Sequence, residues 1–300
     1  LQSGARLDES LDSSLRKGGF AMPELPEVEC LSRAVRETLL GTTITDLKFF
    51  RSDLRGPIPT NQLRDTLVGQ KVIDVFRRSK YLLLKTPRGL AVIHLGMTGN
   101  LLERLSSDPE LPHTHVIFAY GDDRDRHGYL HFVDPRRFGR LECLDEADLK
   151  GHVLFRSLGP EPLDSSPRDL GAYLFEKSRK RKVPIKNFIM DARILVGVGN
   201  IYASESLFRA GISPKRRAGS VSIERYERLA EAIQTTLRAA IAAGGTSFRD
   251  FKNASGDPGY FAINLNVYGR DGEPCPNCQK SISTIRQGGR STYFCAICQK

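Results

Sequence analysis

The chain of 300 residues contains no apolar run long enough to cross a bilayer. Its first 21 residues hold no apolar stretch of the kind that makes a signal peptide. An integral membrane protein and a secreted one are therefore not expected. Internal repeats are absent, which excludes a repeat array. Cysteine is scarce, with six in all, and Cys30 and Cys143 stand alone. With no secretory signal, a disulfide framework is not expected, and a reducing cytoplasm is the natural compartment. Acid is in deficit: 45 Lys and Arg face 35 Asp and Glu, giving +10 and a pI near 9.4. In residues 1–21 the charges of Arg6, Arg16 and Lys17 cancel those of Asp8, Glu9 and Asp12, so the excess lies from Met22 onward. Such an excess favours a polyanionic partner, most often nucleic acid, although a well-solvated surface explains charge alone equally well.

The length suits about two domains, and a hydrophobic share of 40% lets each bury a core. Residues 1–21, rich in Ser, Asp and Gly, read as an unstructured tail or a mis-assigned start. A helix is expected over Glu27–Leu40, with Val28, Leu31, Val35 and Leu39 on one face and Gly41 as the stop. From Thr42 to Leu144 the texture is β. The segments TITDLKFF, KVIDVF, YLLLKT, LAVIHLG, HVIFAY, YLHFVD and FGRLECL are rich in β-branched and aromatic residues, and their close spacing suggests a sandwich or barrel. The segment His152–Pro167 reads as a connection. Helices are expected at Asp169–Lys177, Ile185–Asp191, Ile201–Arg209 and Ile223–Ala243, the last ended by Gly244–Gly245. The expected organisation is a domain over 22–153, a helical domain over 154–263 and a small module over 264–300.

That module carries Cys275-x2-Cys278 and Cys295-x2-Cys298, separated by 16 residues. Each pair can turn two thiolates toward one point, and four complete a tetrahedral zinc site. A closed four-Cys site leaves no open position, so one structural Zn2+ is expected. SISTIRQGGRSTYF between the pairs reads as a hairpin turning at Gly288–Gly289. Zinc modules also serve protein partners, but Lys280, Arg286 and Arg290 tilt this one toward DNA.

The segments MPELPEVE, SKYLLL, HLGMTG, DPRRFG, GVGNIYASE, GGTSFRDF and PGYF precede the Cys pairs in that order. Together they resemble the formamidopyrimidine-DNA glycosylases, bacterial enzymes that remove 8-oxoguanine and ring-opened purines. The resemblance runs from Met22 to Lys300. It implies an α+β fold: an N-terminal helix with a β-sandwich domain, then a helical domain with a helix-two-turn-helix, then the four-Cys zinc finger. It also implies a bacterial, nucleoid-associated monomer that acts on damaged double-stranded DNA, with no membrane partner.

Family roles follow residue by residue. Met22 is removed and Pro23 becomes the nucleophile. A free α-amine titrates at about 7.7–8, so part of it is neutral near pH 7. Its attack on the sugar C1′ leaves an iminium that permits strand cleavage by elimination. Glu24 matches the family's acid, and Glu27 an orienting partner. Lys80 matches a lysine beside the lesion, although a solvated strand-start Lys is the ordinary reading of the residue alone. Arg290 matches a finger Arg that touches phosphate and is linked to the second elimination. Carried from the chain as written, the Pro23 nitrogen is an amide without a basic lone pair. The expectation is therefore that the working enzyme starts at Pro23.

Base chemistry requires the damaged nucleotide out of the stack, with a wedge left in its place. Met97, Arg136 and Phe138 match the inserting trio, Arg136 facing the orphaned cytosine; core packing and a solvated loop are the ordinary readings. Asn200 and the backbone of Gly197–Asn200 suit a phosphate at a helix N-terminus, although a capped turn alone explains GxGN. Lys186, and Arg181 or Lys182 in the run KSRKRK, match phosphate contacts, as do His113 and Tyr268. The loop TSFRDFKNASGDPGYF is expected to close over the flipped base. The rival readings are an endonuclease VIII-type glycosylase for oxidised pyrimidines, opposed by Leu25 and Met97, and a non-catalytic zinc-finger DNA-binding protein, which needs neither Pro23 nor Glu24. A zinc ribbon of the translation machinery is a weaker third.

Overall fold

In the computed structural model, which describes residues 23–105, 111–244 and 265–300, the Pro-Glu-rich opening leads into helix α1 (Leu25–Leu39). The helix starts two residues earlier than the apolar spacing indicates, because Pro26 fits the first turn and the Glu27 carboxylate accepts the Glu24 N–H at 2.9 Å. Val28, Leu31, Val35 and Leu39 form its buried stripe.

Eight strands follow: β1 (Thr43–Phe49), β2 (Asp74–Arg78), β3 (Tyr81–Thr86), β4 (Gly89–His94), β5 (Asn100–Arg104), β6 (Thr114–Gly121), β7 (His127–Val133) and β8 (Arg140–Leu144). They make two antiparallel four-stranded sheets, ordered β1-β6-β7-β5 and β2-β3-β4-β8. Leu47, Val116, Phe118 and Phe132 of one sheet share a core with Leu82, Leu84, Ile93 and Leu141 of the other and with the α1 stripe. A sandwich is thus what the strand-rich segment forms. Two elements were not read in the sequence. Helix α2 (Thr60–Leu67) buries only Leu63, Thr66 and Leu67, and β5 buries only Leu101.

The helical domain comprises α3 (Pro167–Ser178), α4 (Ile185–Ile189), α5 (Asn200–Arg209) and α6 (Ile223–Ala242). Ser166 caps α3 by accepting the Asp169 N–H at 3.1 Å. Beyond α6, Gly244 takes φ +81°, the left-handed conformation its residue type admits without strain. The core of this domain includes Leu25, which comes from the other end of the chain. Strands β9 (Ser283–Gln287) and β10 (Arg290–Phe294) pair antiparallel around Gly288 and Gly289, as expected for the hairpin. Among the described residues no helix is long and apolar enough to cross a membrane. The tail 1–21, Met22 and the loop expected to close over the base lie outside the described residues.

Candidate active site and DNA-facing surface

Leu25 and Glu24 join the sandwich to the helical domain. The Leu25 N–H donates to Gly197 O at 3.0 Å, and its side chain fills the space a Cβ on Gly197 would take, 2.5 Å from Leu25 Cδ1. The Glu24 carboxylate, 3% exposed, lies at the N-terminus of α5. It accepts the N–H groups of Gly199 at 2.7 Å, Ile201 at 3.0 Å and Tyr202 at 3.4 Å. Of the Gly197–Asn200 backbone that the sequence suggests for a phosphate, the Gly199 N–H is taken by Glu24. A helix N-terminus favours a carboxyl group in that place. Beside it, Glu27 accepts the Tyr202 hydroxyl at 2.6 Å.

Burial pushes the Glu24 pKa above the ordinary carboxylate value and Lys80 opposes the rise; Glu27 adds to it, while the Ile201 and Gly199 N–H groups hold it down. Burial lowers the pKa of Lys80; Glu24 counters this, and Arg290 adds to the lowering. Glu24, Lys80 and Arg290 therefore share one electrostatic neighbourhood, although they come from α1's entry, the β2–β3 turn and β10. The turn that carries Lys80 is held in place from outside. Ser79 takes φ 56° there, and its N–H donates to Glu161 Oε1 at 2.7 Å. Arg77 and Arg78 also bind Glu161, at 2.6 and 2.7 Å.

Lys186 is 1% exposed, unlike the phosphate-facing lysine that the sequence suggests. Its ammonium donates to Asn200 Oδ1 at 2.6 Å, Thr292 Oγ1 at 2.7 Å and Ser291 O at 3.1 Å. These three bonds account for its three donors. Burial lowers its pKa to about 8, with Glu24 acting upward and Arg290 downward. The Asn200 amide donates to Ser291 O at 3.0 Å. Lys186 and Asn200 thus tie the finger to α5, Lys186 from within the fold and Asn200 from a half-buried position. Tyr268 is half-buried against Tyr293, with ring centroids 5.1 Å apart. Its N–H donates to Glu205, whose carboxylate also accepts the Asn266 and Val267 N–H groups.

The Cys275, Cys278, Cys295 and Cys298 sulfurs all lie within 4.8 Å of one another. Cys275–Cys298 and Cys278–Cys295 are 3.9 and 3.5 Å apart. Four thiolates about 2.3 Å from a tetrahedral zinc sit about 3.8 Å from each other, so the donor set fits structural Zn2+.

Met97 is half-buried, while His113, Arg136, Phe138, Arg181, Lys182 and Arg290 are exposed. Arg136 lies over the Phe138 ring, 4.8 Å from its centroid. The Met97 and Phe138 loops meet backbone to backbone: a Cβ on Gly96 would stand 2.4 Å from the Phe138 carbonyl carbon. Sequence reasoning missed Asp134, Thr98, Glu161, Glu205, Tyr202 and His94, which position these loops and termini. An acid set among Gly and Pro was the available signal for Asp134 and Glu161. His94 accepts the Gly96 N–H on Nδ1 at 3.0 Å. Burial, with Lys80, Arg55 and Arg140 nearby, lowers its pKa to about 4.

A sandwich whose first acid is seated on a partner helix, beside a lysine and a four-thiol finger, has the build of a DNA glycosylase of base excision repair. Residues 22–141 match the formamidopyrimidine-DNA glycosylase N-terminal domain, 158–252 its H2TH domain, and 272–300 the zinc finger found in FPG and IleRS. Formamidopyrimidine-DNA glycosylase of Stenotrophomonas maltophilia strain K279a is 48% identical over 279 residues, 93% of this chain and all of that protein. That of Acidithiobacillus ferrooxidans strain ATCC 53993 is 46% identical over 280 residues, again 93% and 100%. The MutM (FPG) crystal structure from Thermus thermophilus superposes with TM-score 0.78 at 37% identity, covering 92% of this chain and 98% of that one. The Lactococcus lactis enzyme bound non-covalently to AP-site DNA gives TM-score 0.80 at 30% identity, over 92% and 99%. The chain belongs to the formamidopyrimidine-DNA glycosylase family.

Proposed function

We propose that the protein excises 8-oxoguanine and formamidopyrimidines from duplex DNA through the amine of Pro23 and then cleaves the strand by β,δ-elimination. The observation that carries the reading is that Lys80 interacts electrostatically both with Glu24, the residue next to Pro23, and with Arg290, while burial raises the Glu24 pKa and lowers that of Lys80. A raised carboxyl can hold a proton for delivery, and a lowered ammonium can give one up. The neutral Pro23 nitrogen attacks C1′. The N–C1′ bond forms as the glycosidic bond breaks, and its electron pair leaves with the base, which takes up a proton. Glu24 protonates the ring oxygen as the sugar opens, and the Pro23 nitrogen loses its hydrogen to become an iminium. That electron sink acidifies the C2′ hydrogen. Lys80 serves the proton transfers of the first elimination, which expels the 3′ phosphate, and Arg290 holds phosphate for the second.

Met97, Arg136 and Phe138 fill the gap left by the extruded nucleotide, with Arg136 paired to the orphaned cytosine. His113, Arg181, Lys182 and Tyr268 face the backbone, while Lys186 and Asn200 act through the finger they anchor. One chain supplies every group in this scheme, so a monomer suffices, acting at the nucleoid of a bacterial cytoplasm. Leu25 directly after Pro23-Glu24, and Met97 in the wedge, favour oxidised purines over the endonuclease VIII-type substrates.

The test is borohydride trapping on 8-oxoguanine duplex. A chain beginning at Pro23 forms the covalent adduct. The chain carrying residues 1–22, its mass verified, binds DNA without trapping, because its Pro23 nitrogen is an amide. Equal trapping by both would move the nucleophile elsewhere, Lys80 first.

A further inference from the structure

Asp134 is fully buried at the foot of the loop that carries Arg136 and Phe138. Each of its polar groups binds a different stretch of backbone or loop. Oδ1 accepts the Thr98 hydroxyl at 2.5 Å, from the loop that carries Met97. Oδ2 accepts the Gly139 N–H at 2.7 Å, on the far side of Phe138. The Asp134 N–H donates to His113 O at 3.1 Å, and its carbonyl accepts the Arg137 N–H at 3.1 Å. Thr98 Oγ1 in turn accepts the Arg136 N–H at 3.3 Å. The carboxylate and the Thr98 hydroxyl therefore join the Met97 loop to the 134–139 loop, and the Asp134 backbone N–H adds the His113 segment.

We propose that Asp134 and Thr98 are positioning residues that lock the Met97 and Arg136–Phe138 loops into a single preformed wedge. The proposal rests on the reading that those loops enter the duplex. Residues 135–138 are exposed while Met97 is half-buried, and Arg137 holds φ 58°, a backbone conformation that L-residues adopt only when their surroundings impose it. Three side chains on separately mobile loops would each lose freedom on entering DNA. Loops already fixed to a common buried anchor do not lose it again, so the extrusion step proceeds at a lower cost. The clamp also fixes the backbone from which Arg136 reaches the opposite base, which places specificity partly in residues that touch no DNA.

Thr98→Val removes the hydroxyl and keeps the side-chain shape. The expected result is an about tenfold loss in single-turnover excision from an 8-oxoguanine·C duplex, together with weaker discrimination between C and A opposite the lesion. Borohydride trapping on a duplex with a preformed abasic site stays within about twofold of the parent. Thr98→Ser restores the hydroxyl and with it both excision and discrimination. Asp134→Asn keeps one acceptor and loses less than Asp134→Leu. An equal loss on lesion and abasic duplexes would show a general structural defect and overturn the clamp, as would unchanged excision by Thr98→Val. Arg136→Ala is run in parallel: full discrimination by that variant would overturn the wedge reading itself, whatever Thr98→Val does.

Discussion

The β-sandwich and the zinc finger hold their site residues in opposite ways. The sandwich packs two sheets and α1 around a continuous apolar core, so its loops inherit a rigid base. The finger's buried cluster amounts to Val267, Ile282, Cys275 and Cys295, with Phe208 contributed by α5. A core that small cannot set a position by packing, so the finger takes its position from its neighbours. Lys186 reaches into it with two of its three bonds. Gln299 returns the link, donating to Ile212 O at 3.0 Å and accepting the Cys295 N–H at 2.8 Å. The lesson is that Arg290 is placed by metal and polar anchors, whereas Lys80 and Glu24 are placed by a core and by backbone donors. Each kind of placement fails differently.

The largest expected effect breaks the sandwich side chemically and leaves its fold alone. Glu24→Gln keeps the shape but cannot deliver the proton, and base release falls by about 10²–10⁴-fold. Single-turnover excision of 8-oxoguanine measures this, with binding to an abasic-site duplex as the control that stays near the parent's. The finger breaks through its metal. Cys295→Ala removes one of four ligands, and folding of so small a module is coupled to zinc. The expected result is less than one bound zinc per chain by elemental analysis and loss of DNA binding, while the sandwich keeps its own thermal transition. Normal lesion cutting by that variant would refute the dependence.

How far the sequence exposed these two regions differs in the same way. The finger was legible because its ligands are its signature: Cys pairs at fixed spacing declare a metal wherever they fold. The strands were legible from β-branched runs, and the sandwich followed. What escaped was whatever depends on partners far along the chain. The backbone of Gly197–Asn200 looked like an anion site, but nothing local to GVGN announces that Glu24 takes the Gly199 N–H, together with that of Ile201. Lys186 matched a phosphate contact and is buried, bonded to Ser291 and Thr292 of the hairpin. Helix α2 escaped because TNQLRDTL buries one turn's worth of side chains, too few for a periodic signal.

A smaller effect sharpens the comparison on the exposed side of the sandwich. A bidentate contact between Arg and a base is worth about 1–3 kcal/mol of discrimination. Arg136→Ala is expected to lower the preference for C over A opposite 8-oxoguanine by that amount, read from paired excision rates, with little change in trapping at abasic sites. Undiminished selectivity would remove Arg136 from the wedge.

The smallest effect is in pH. The folded-state pKa of His94 lies at about 4, below its ordinary 6.5. The unfolded chain therefore binds more protons between those values, and the stability carried by neutral His94 is lost as pH falls from about 6.5 toward 4. Protonation would also turn the acceptor of the Gly96 N–H into a donor. His94→Asn retains an acceptor without a titrating ring. Urea midpoints at pH 7 and pH 4.5 are expected to differ less for that variant than for the parent. An identical acid response would clear His94 of the effect.

The seat of Glu24 has a consequence for how such an enzyme can be recombined. A Cβ built on Gly199 would stand 2.2 Å from the Glu24 carboxyl carbon, so the acid occupies room that exists only because one methyl group is missing from the other domain. Neither half can therefore be exchanged alone. A sandwich transplanted onto a foreign helical domain keeps Pro23 and Glu24 but functions only if the recipient carries a hydrogen in that place and an open helix end behind it. Chimaeras of relatives should divide on that one position, before any difference in their DNA-facing residues is felt.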